Sequence, residues 1–275
     1  MYIWRKQVTP DWLRPRNEDL NARFGAALAI VERSGKRRLL LEVSCPTFQR
    51  AHALIQEFGG TTEKLRRDWL QHFAKRAQAK PLRIGARLVV LRAPDQKRPN
   101  RSVRTIIIPA EAAFGTGEHA TTAMCLRLLE QQTRQRPSGW SLLDVGTGSG
   151  ILAIAANCLG ASSVFAIDND PVACGVAKRN ARANRARDIE FRTSDVLQLK
   201  LTKRFDVITA NLFSELLIKA LPRLARHLAP GGLLILSGIL RSQERAVAEA
   251  LRRHGFPLQE VRRRGKWIAV VGAVA

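Results

Sequence analysis

The sequence predicts an α/β fold, in which a parallel sheet carries helices on both faces and a small α+β module precedes it. The main observation is a strict alternation of apolar strand-like segments with helical segments in the second half of the chain. A glycine-rich turn follows the first strand of that series, and the C-terminal segments indicate a hairpin at the sheet edge. The predicted strands are 142–145, 164–167, 189–192, 205–209 and 233–236, and the hairpin pairs Glu260-Val261 with Trp267–Val271.

Residues 1–60 alternate short strand-like and helix-like pieces, which predicts the small α+β module. Leu39–Val43 is apolar and follows a turn, so we expect a strand there. Gln49–Phe58 has helical periodicity and is followed by Gly59-Gly60, a typical helix end. The module carries no chemistry of its own in its sequence.

Residues 61–80 are predicted to form a linker helix, because large apolar residues recur there at helical spacing. Arg87–Leu91 and Thr105–Ile108 are predicted strands, and the polar, proline-bearing segment 93–102 between them predicts a loop. The large domain is therefore expected to span residues 81–275. The apolar face of the linker helix would consist of Leu65, Trp69, Leu70 and Phe73.

The charge balance is the extreme feature of the composition. The 275 residues carry a formal net charge of +23, and arginine supplies 35 of the 46 basic residues. Such a field attracts nucleic acid, although a solvated surface rich in arginine has the same composition, and the two readings stay open. No apolar run reaches the ~18 residues of a membrane span, and we expect no signal peptide. The four cysteines show no metal spacing, which favours a reducing cytoplasm.

The segment 142–156 indicates a nucleotide pocket. An apolar strand ends in a turn with glycine at Gly146, Gly148 and Gly150, and an apolar helix follows at once. Such a turn presents free amide groups at the carboxyl end of a strand. Asp144 precedes the turn, where we expect its carboxylate to meet a positive ligand group. Asp168 ends the next strand, where an acid accepts hydrogen bonds from a ribose diol, so the pair suits an adenosyl sulfonium such as S-adenosylmethionine.

Two further segments carry candidate site residues. In the polar loop 113–122, His119 and Glu118 are candidate bases, and the Thr121-Thr122 pair is expected to cap the following helix through a hydroxyl. Asn211 ends the fourth strand, where its carboxamide oxygen could accept a hydrogen bond from an amine. Asp195, after the third strand, could receive the adenine amino group, although a helix cap would look the same in sequence.

These motifs together resemble those of the bacterial PrmA family, over roughly residues 65–272. Phe114-Gly115-Thr116-Gly117-Glu118-His119-Ala120-Thr121-Thr122 is similar to the family signature F-G-T-G-x-H-x-T-T. Members of the family methylate ribosomal protein L11, which is the stalk-base protein of the large ribosomal subunit. The other matching segments are Asp144–Gly150, Asp168–Pro171, Ala210–Leu212, Pro230–Gly232 with Ser237–Leu240, Gly85–Leu88, Trp69 and Phe73.

The resemblance implies a Rossmann-like class I methyltransferase that uses S-adenosyl-L-methionine and methylates amino groups, on lysine side chains or at an N-terminal amine. It implies cofactor contacts at Thr122, Gly146, Asp168 and Asn211, to which the glycine turn and the strand ends add Gly148 and Asp195. Asn211 and His119 are the expected catalytic residues, and no metal is expected. Residues 1–60 would dock the substrate protein, with rRNA nearby and the enzyme a monomer.

Two alternatives stay open. An RNA methyltransferase would account for the net charge, but enzymes of that kind that carry an asparagine here usually follow it with proline, and this chain has Leu212. A non-catalytic ribosome-binding protein could keep the same fold, but such a protein tends to lose pocket residues that are intact here.

Overall fold

The computed structural model describes residues 2–24, 27–32, 38–64, 81–97, 103–109 and 117–273, and all structural statements below concern these residues. The chain divides into two compact units, Met1–Ala74 and Lys75–Ala275. Each unit has its own sheet and its own apolar core. Within the described part of the chain, no helix is both long enough and apolar enough to cross a membrane.

The smaller unit is an α+β module built on a four-stranded antiparallel sheet of order β2-β3-β1-β4. Trp4 and Leu41 are fully buried at the centre of its core, and the Trp4 indole donates a hydrogen bond to the Gly59 carbonyl at 2.8 Å. The predicted strand at Leu39–Val43 and the predicted helix at Gln49–Phe58 are confirmed. The elements are β1 (Tyr2–Val8), α1 (Pro10–Leu13), α2 (Asn17–Phe24), β2 (Leu28–Glu32), β3 (Leu39–Cys45), α3 (Phe48–Phe58) and β4 (Thr61–Lys64).

The strand β4 corrects the prediction that the linker helix begins at residue 61. Gly59 and Gly60 both adopt positive φ, which turns the chain back towards the sheet. Thr61–Lys64 then pairs with Tyr2–Arg5 and satisfies backbone groups at the edge of β1. Long-range pairing therefore overrides the local helical periodicity. The rest of the predicted linker, 65–80 with Trp69 and Phe73, lies outside the described residues.

The larger unit begins with a three-stranded sheet and a helix. The predicted strands at 87–91 and 105–108 are confirmed with slightly shifted ends, and both belong to this separate sheet of order β5-β6-β7. Of the predicted loop 93–102, only residues 93–97 are described, and they form turns. The elements are β5 (Leu82–Ile84), β6 (Leu88–Leu91), β7 (Arg104–Ile107) and α4 (Ala120–Gln132).

The seven-stranded sheet that follows confirms the α/β prediction. Its order is β10-β9-β8-β11-β12-β14-β13, the first five strands are parallel, and the last two form the predicted antiparallel hairpin. The elements are β8 (Ser141–Val145), α5 (Ile151–Cys158), β9 (Ser163–Asp168), α6 (Pro171–Ala183), β10 (Ile189–Thr193), β11 (Phe205–Asn211), α7 (Ser214–His227), β12 (Leu228–Leu240), α8 (Glu244–Arg253), β13 (Leu258–Arg264) and β14 (Trp267–Ala273).

Helices cover both faces of this sheet, as predicted. Alternate residues of one strand join opposite cores: Leu142 packs with residues of α4 and α5, whereas Leu143 packs with residues of α7 and α8. The chain passes from β8 to β9 on one side and later to β11 on the other, so the strand order reverses at β8. Open α/β sheets bind ligands at such a reversal, beyond the carboxyl ends of the strands.

Candidate functional site

The predicted site residues gather at the carboxyl edge of three neighbouring strands. Gly146 follows β8, Asp168 ends β9, and Asn211 ends β11. These strands are adjacent and parallel, with β8 paired to both of the others. Residues far apart in sequence therefore meet at the point where the strand order reverses.

The glycine turn needs glycine for both its conformation and its neighbours. Gly146 has φ of +71° and Gly150 has φ of +80°, a region that side chains other than glycine rarely adopt. A Cβ atom on Gly146 would lie 2.5 Å from Cδ2 of Leu212, and one on Gly150 would lie 3.1 Å from the Cα of Ala177 in α6. The turn is therefore held tightly between β11 and α6.

Asp168 is fixed by the backbone of the same turn. Its Oδ2 accepts a hydrogen bond from the Gly148 amide at 2.9 Å, and its Oδ1 accepts one from the Asp170 amide at 3.1 Å. The side chain is half-buried. Each carboxylate oxygen retains a second lone-pair direction. Asp168 can therefore accept two further hydrogen bonds, as a vicinal diol would offer.

A first cleft joins the glycine turn to the ends of β9 and β10. Asp195 is exposed there, and its Oδ1 accepts a hydrogen bond from the Leu197 amide at 2.8 Å as the N-cap of a single 3-10 turn. The capping role that the sequence left open is thus present, and the carboxylate keeps further acceptor capacity on its second oxygen. The cleft is lined in part by Gly146, Asp168, Ser194, Asp195, Leu212 and Leu216.

A second cavity of about 310 Å³ contains the two predicted catalytic residues. Its walls are mostly apolar, and Leu212 lines both this cavity and the first cleft. Phe213 at its mouth is 74% exposed, which is unusual for a large apolar side chain in a folded domain. The cavity is lined by His119, Thr121, Asn211, Leu212, Phe213, Gly238 and Trp267.

Asn211 is oriented by Thr122. The Asn211 amide Nδ2 donates a hydrogen bond to the Thr122 hydroxyl at 3.2 Å, which leaves the carboxamide oxygen as the acceptor on the other side of the group. Thr122 is only 1% exposed. Its hydroxyl therefore acts on Asn211 in this structure and has little surface for direct contact with a cofactor.

The expected helix cap at Thr121-Thr122 is wrong. Helix α4 begins at Ala120 with His119 at the N-cap position, so both threonines lie in the first turn. Their hydroxyls contact neighbouring side chains and not the backbone amides of the helix end. The Thr121 Oγ1 lies 2.8 Å from the His119 Nδ1, and the Thr122 hydroxyl accepts a hydrogen bond from Asn211. Of the signature loop, Phe114, Gly115 and Thr116 lie outside the described residues.

His119 lines the second cavity, in surroundings that favour the neutral form of its imidazole. Burial lowers its pKa, and the positive charge of Lys266 lowers it further. The ring packs edge-on against Trp267 with centroids 5.2 Å apart. Glu118, the other candidate base, forms an ion pair with Arg92 at 3.4 Å and does not line the cavity.

Asp144 lies inside the fold, contrary to the expectation that it meets a ligand. The side chain is fully buried, and its oxygens accept hydrogen bonds of 2.7 Å from the hydroxyls of Thr147 and Thr209. Burial raises the pKa of Asp144 to about 6. The carboxylate ties the glycine turn to β11 two residues before Asn211. Sequence reasoning missed Thr209, although a threonine in an otherwise apolar strand was the available signal.

Gly238 is a second residue whose role the sequence left unassigned. It has φ of +85°, and a Cβ atom there would lie 2.3 Å from the Leu212 carbonyl oxygen. The Leu212 amide also donates a hydrogen bond to the Ser237 carbonyl at 3.0 Å. The close approach holds the segment after Asn211 against β12, and the Ser-Gly pair within an apolar run was the signal for it.

Comparisons with known proteins agree with this arrangement. A model of the family described as ribosomal protein L11 methyltransferase (PrmA) matches residues 42–274. The chain is 39% identical to a ribosomal protein L11 methyltransferase of Heliobacterium modesticaldum, over 74% of this chain and 63% of that protein. It is 39% identical to one of Syntrophotalea carbinolica, over 82% of this chain and 69% of that protein. The matched part thus spans less than two thirds of the Heliobacterium protein.

A solved structure shares the fold of the larger part. The crystal structure of a ribosomal protein L11 methylase from Lactobacillus delbrueckii subsp. bulgaricus matches with a TM-score of 0.64 and 32% sequence identity. The match covers 70% of this chain and 97% of that one.

Proposed function

Because the chain belongs to the PrmA family, we propose that it transfers methyl groups from S-adenosylmethionine to amino groups of ribosomal protein L11. The observation that carries the proposal is the pair of adjoining pockets. A cleft with two carboxylates meets an apolar cavity with a carboxamide acceptor, and Leu212 is common to both. The first cleft has a volume of only about 60 Å³, but its carboxylates offer acceptors to the hydroxyls and amino group of a nucleoside, and the second cavity suits an amine.

The residues of the first cleft fit S-adenosylmethionine. Asp168 retains acceptor capacity for the two ribose hydroxyls, and Asp195 retains it for the adenine amino group. Gly146 itself lines this cleft, so its backbone borders the space that the nucleoside would occupy. The cofactor, when bound, supplies a methyl group on a positively charged sulfur. Net negative charge in the cleft suits that cation.

The second cavity suits a neutral amine. A lysine ammonium has a pKa near ~10.4 in water, and an apolar site lowers that value by disfavouring the charged form. With its nitrogen bound to Thr122, Asn211 offers its oxygen to an N–H of the incoming amine and orients the nitrogen lone pair. Proximity and orientation of this kind supply much of the acceleration in two-reactant steps.

His119 is the group suited to take up a proton. The attacking nitrogen becomes positively charged when it gains the methyl group, and the product amine must lose a proton before a further transfer. The lowered pKa of His119 keeps its imidazole unprotonated at neutral pH, and the Thr121 hydroxyl fixes its ring. We assign His119 this proton-accepting role and assign none to Glu118, which is paired with Arg92.

The smaller unit is proposed to dock the substrate protein. It contains none of the candidate site residues and has a separate core. Two of its apolar side chains are exposed, Phe48 at 49% and Ile30 at 40%. These two side chains are the exposed large apolar residues among the described part of this unit, and Phe48 is the one we test for contact with the substrate protein.

The test is methyl transfer from labelled S-adenosylmethionine to separated ribosomal proteins and to rRNA. We expect label in L11 alone. Label in rRNA would instead establish an RNA methyltransferase, and no label in either would indicate a non-catalytic binding protein.

Single-turnover rates at saturating cofactor then test the roles of Asn211 and Thr122. We expect Asn211→Ala to lower the turnover rate while cofactor affinity stays within a few-fold, because its contact with the amine strengthens in the transition state. Thr122→Val removes the hydroxyl that orients the carboxamide and should show a smaller loss of the same kind. A wild-type turnover rate with weakened cofactor binding in Asn211→Ala would make it a cofactor residue instead.

A further inference from the structure

A row of basic side chains lies on β5, on helix α4 and on the hairpin of β13 and β14. We call these residues the basic strip: Arg83, Arg127, Arg264 and Lys266. Arg83, Arg264 and Lys266 are exposed, and Arg127 is half-buried. All four belong to the larger unit.

Backbone carbonyls hold Arg127 in place, and the arginines of β13 lie next to it. Arg127 Nη2 donates to the Arg83 carbonyl and Nη1 donates to the Ala123 carbonyl, both at 3.5 Å, which holds its guanidinium along the helix. On β13, alternate residues share a face. Arg262 and Arg264 therefore lie on the same face of β13. On that face Arg262 donates a hydrogen bond to Gln131, which lies one helical turn beyond Arg127 in α4.

Like charges converge within the strip. Burial lowers the pKa of Arg127, and the neighbouring charges of Arg264 and Arg262 lower it further. Glu260 balances Arg262 through an ion pair of 2.8 Å. Among the described residues, no ion pair involves a member of the basic strip. Convergent cations cost free energy in the isolated protein, and an anionic partner offsets that cost.

The strip ends at the second cavity. Lys266 lies over the ring of Trp267, 5.3 Å from its centroid, and Trp267 lines the cavity. The charge of Lys266 reaches His119, whose pKa it lowers. An occupant of the strip would therefore lie beside the cavity that holds Asn211.

We infer that the basic strip binds the phosphate backbone of RNA. The planar guanidinium matches phosphate oxygens with two parallel hydrogen bonds, and three of the four residues are arginines. Arg83, Arg127 and Arg264 come from three different elements and lie next to one another, so together they present several positive charges to a polymer of phosphates. The net charge of +23 favours a polyanion over an isolated acidic side chain. The binding does not depend on methyl transfer and does not rest on the proposed function.

The test compares two triple variants of the full chain without cofactor. The strip variant is Arg83→Gln, Arg127→Gln and Arg264→Gln. The matched control removes the same charge from the exposed end and face of α8, through Arg245→Gln, Arg252→Gln and Arg253→Gln. The probe is a fluorescein-labelled RNA duplex of about 30 base pairs, with binding measured by anisotropy over a range of salt concentrations. A polyglutamate of equal charge is the second probe.

Each phosphate contact adds about 0.7–0.9 to the slope of log affinity against log salt. We therefore expect the strip variant to lose about 2–3 from the slope and about 100-fold in RNA affinity near 0.1 M salt, relative to the control. Arg264→Gln alone changes an exposed residue at the end of the hairpin and should lower the salt slope by about one. This single variant replaces the triple variant in the test if the triple variant is unstable. Equal losses in both triple variants, no loss in either, or equal affinity for polyglutamate would overturn the inference.

Discussion

Replacing the buried Asp144 with asparagine is expected to stabilise the cofactor-free protein at neutral pH. Burial is the main reason that the pKa of Asp144 rises from its ordinary 3.8 to about 6, and the hydroxyls of Thr147 and Thr209 only partly offset it. The unfolded chain keeps a value near ~3.9. The folded state therefore holds this proton more tightly than the unfolded state, and ionisation of Asp144 weakens folding.

The magnitude follows from the difference between the two pKa values. Below pH ~4 the carboxyl is protonated in both states and has no effect on stability. Between pH ~4 and pH 6 the free energy of unfolding falls as pH rises, because the unfolded chain has released a proton that the folded chain retains. Above pH 6 the loss levels off at about 3 kcal/mol, since the pKa of about 6 lies roughly two above the unfolded value.

Asparagine removes that loss and keeps the hydrogen bonds. Its Oδ1 can accept from one threonine hydroxyl, and its Nδ2 can donate to the other hydroxyl oxygen. The free energy of unfolding of Asp144→Asn should therefore exceed that of the wild type by about 3 kcal/mol at pH 7.5 and by about 1 kcal/mol at pH 4.5. Asp144→Ala leaves both hydroxyls without this partner, so we expect it to be less stable than Asp144→Asn by about 1–3 kcal/mol.

The assay is native-state hydrogen exchange of the full chain, read on peptides from β8 and β11, because Asp144 and Thr209 lie on these strands. Exchange free energies are compared between wild type and the two variants at both pH values. Asp144→Asn less stable than the wild type at pH 7.5, or a difference that does not change with pH, would refute the reasoning.

Three further outcomes are expected. Asp168→Ala should weaken S-adenosylmethionine binding by about 1–3 kcal/mol in calorimetry, and equal affinity would remove the ribose assignment. Gly238→Ala should lower both the thermal midpoint and methyl transfer, because a Cβ would lie 2.3 Å from the Leu212 carbonyl; a wild-type midpoint would contradict the close approach. Phe48→Ser should raise KM for L11 without changing turnover or cofactor affinity, and an unchanged KM would argue against docking through that surface.

Local signals in the sequence were sufficient for the framework of the larger unit. Apolar runs of strand length, glycines after β8 and polar residues at strand ends predicted the five parallel strands and the edge at which the candidate site residues gather. These features depend on residues close in sequence. Alternation of strands and helices then leaves few arrangements other than a parallel sheet with covered faces.

Interactions between distant segments account for what the sequence reasoning missed. Thr61–Lys64 forms β4 because the edge of β1 is available to it, and periodicity within the segment cannot reveal that edge. Thr122 meets Asn211 across 89 positions. A residue type at a strand end or in a loop predicts that it is near the site, but only the packing of neighbouring elements decides what it contacts.

By itself the sequence determined that this is an α/β chain of the PrmA type with glycines and acids at the strand ends. The tertiary structure alone decided that Asp144 lies inside, hydrogen-bonded to Thr147 and Thr209, while Asp168 faces the cleft. Both are aspartates beside the same turn and look alike in sequence. The difference arises because Asp144 lies within β8, one residue before its end, where its side chain is fully buried, whereas Asp168 is the last residue of β9 and lines the open cleft.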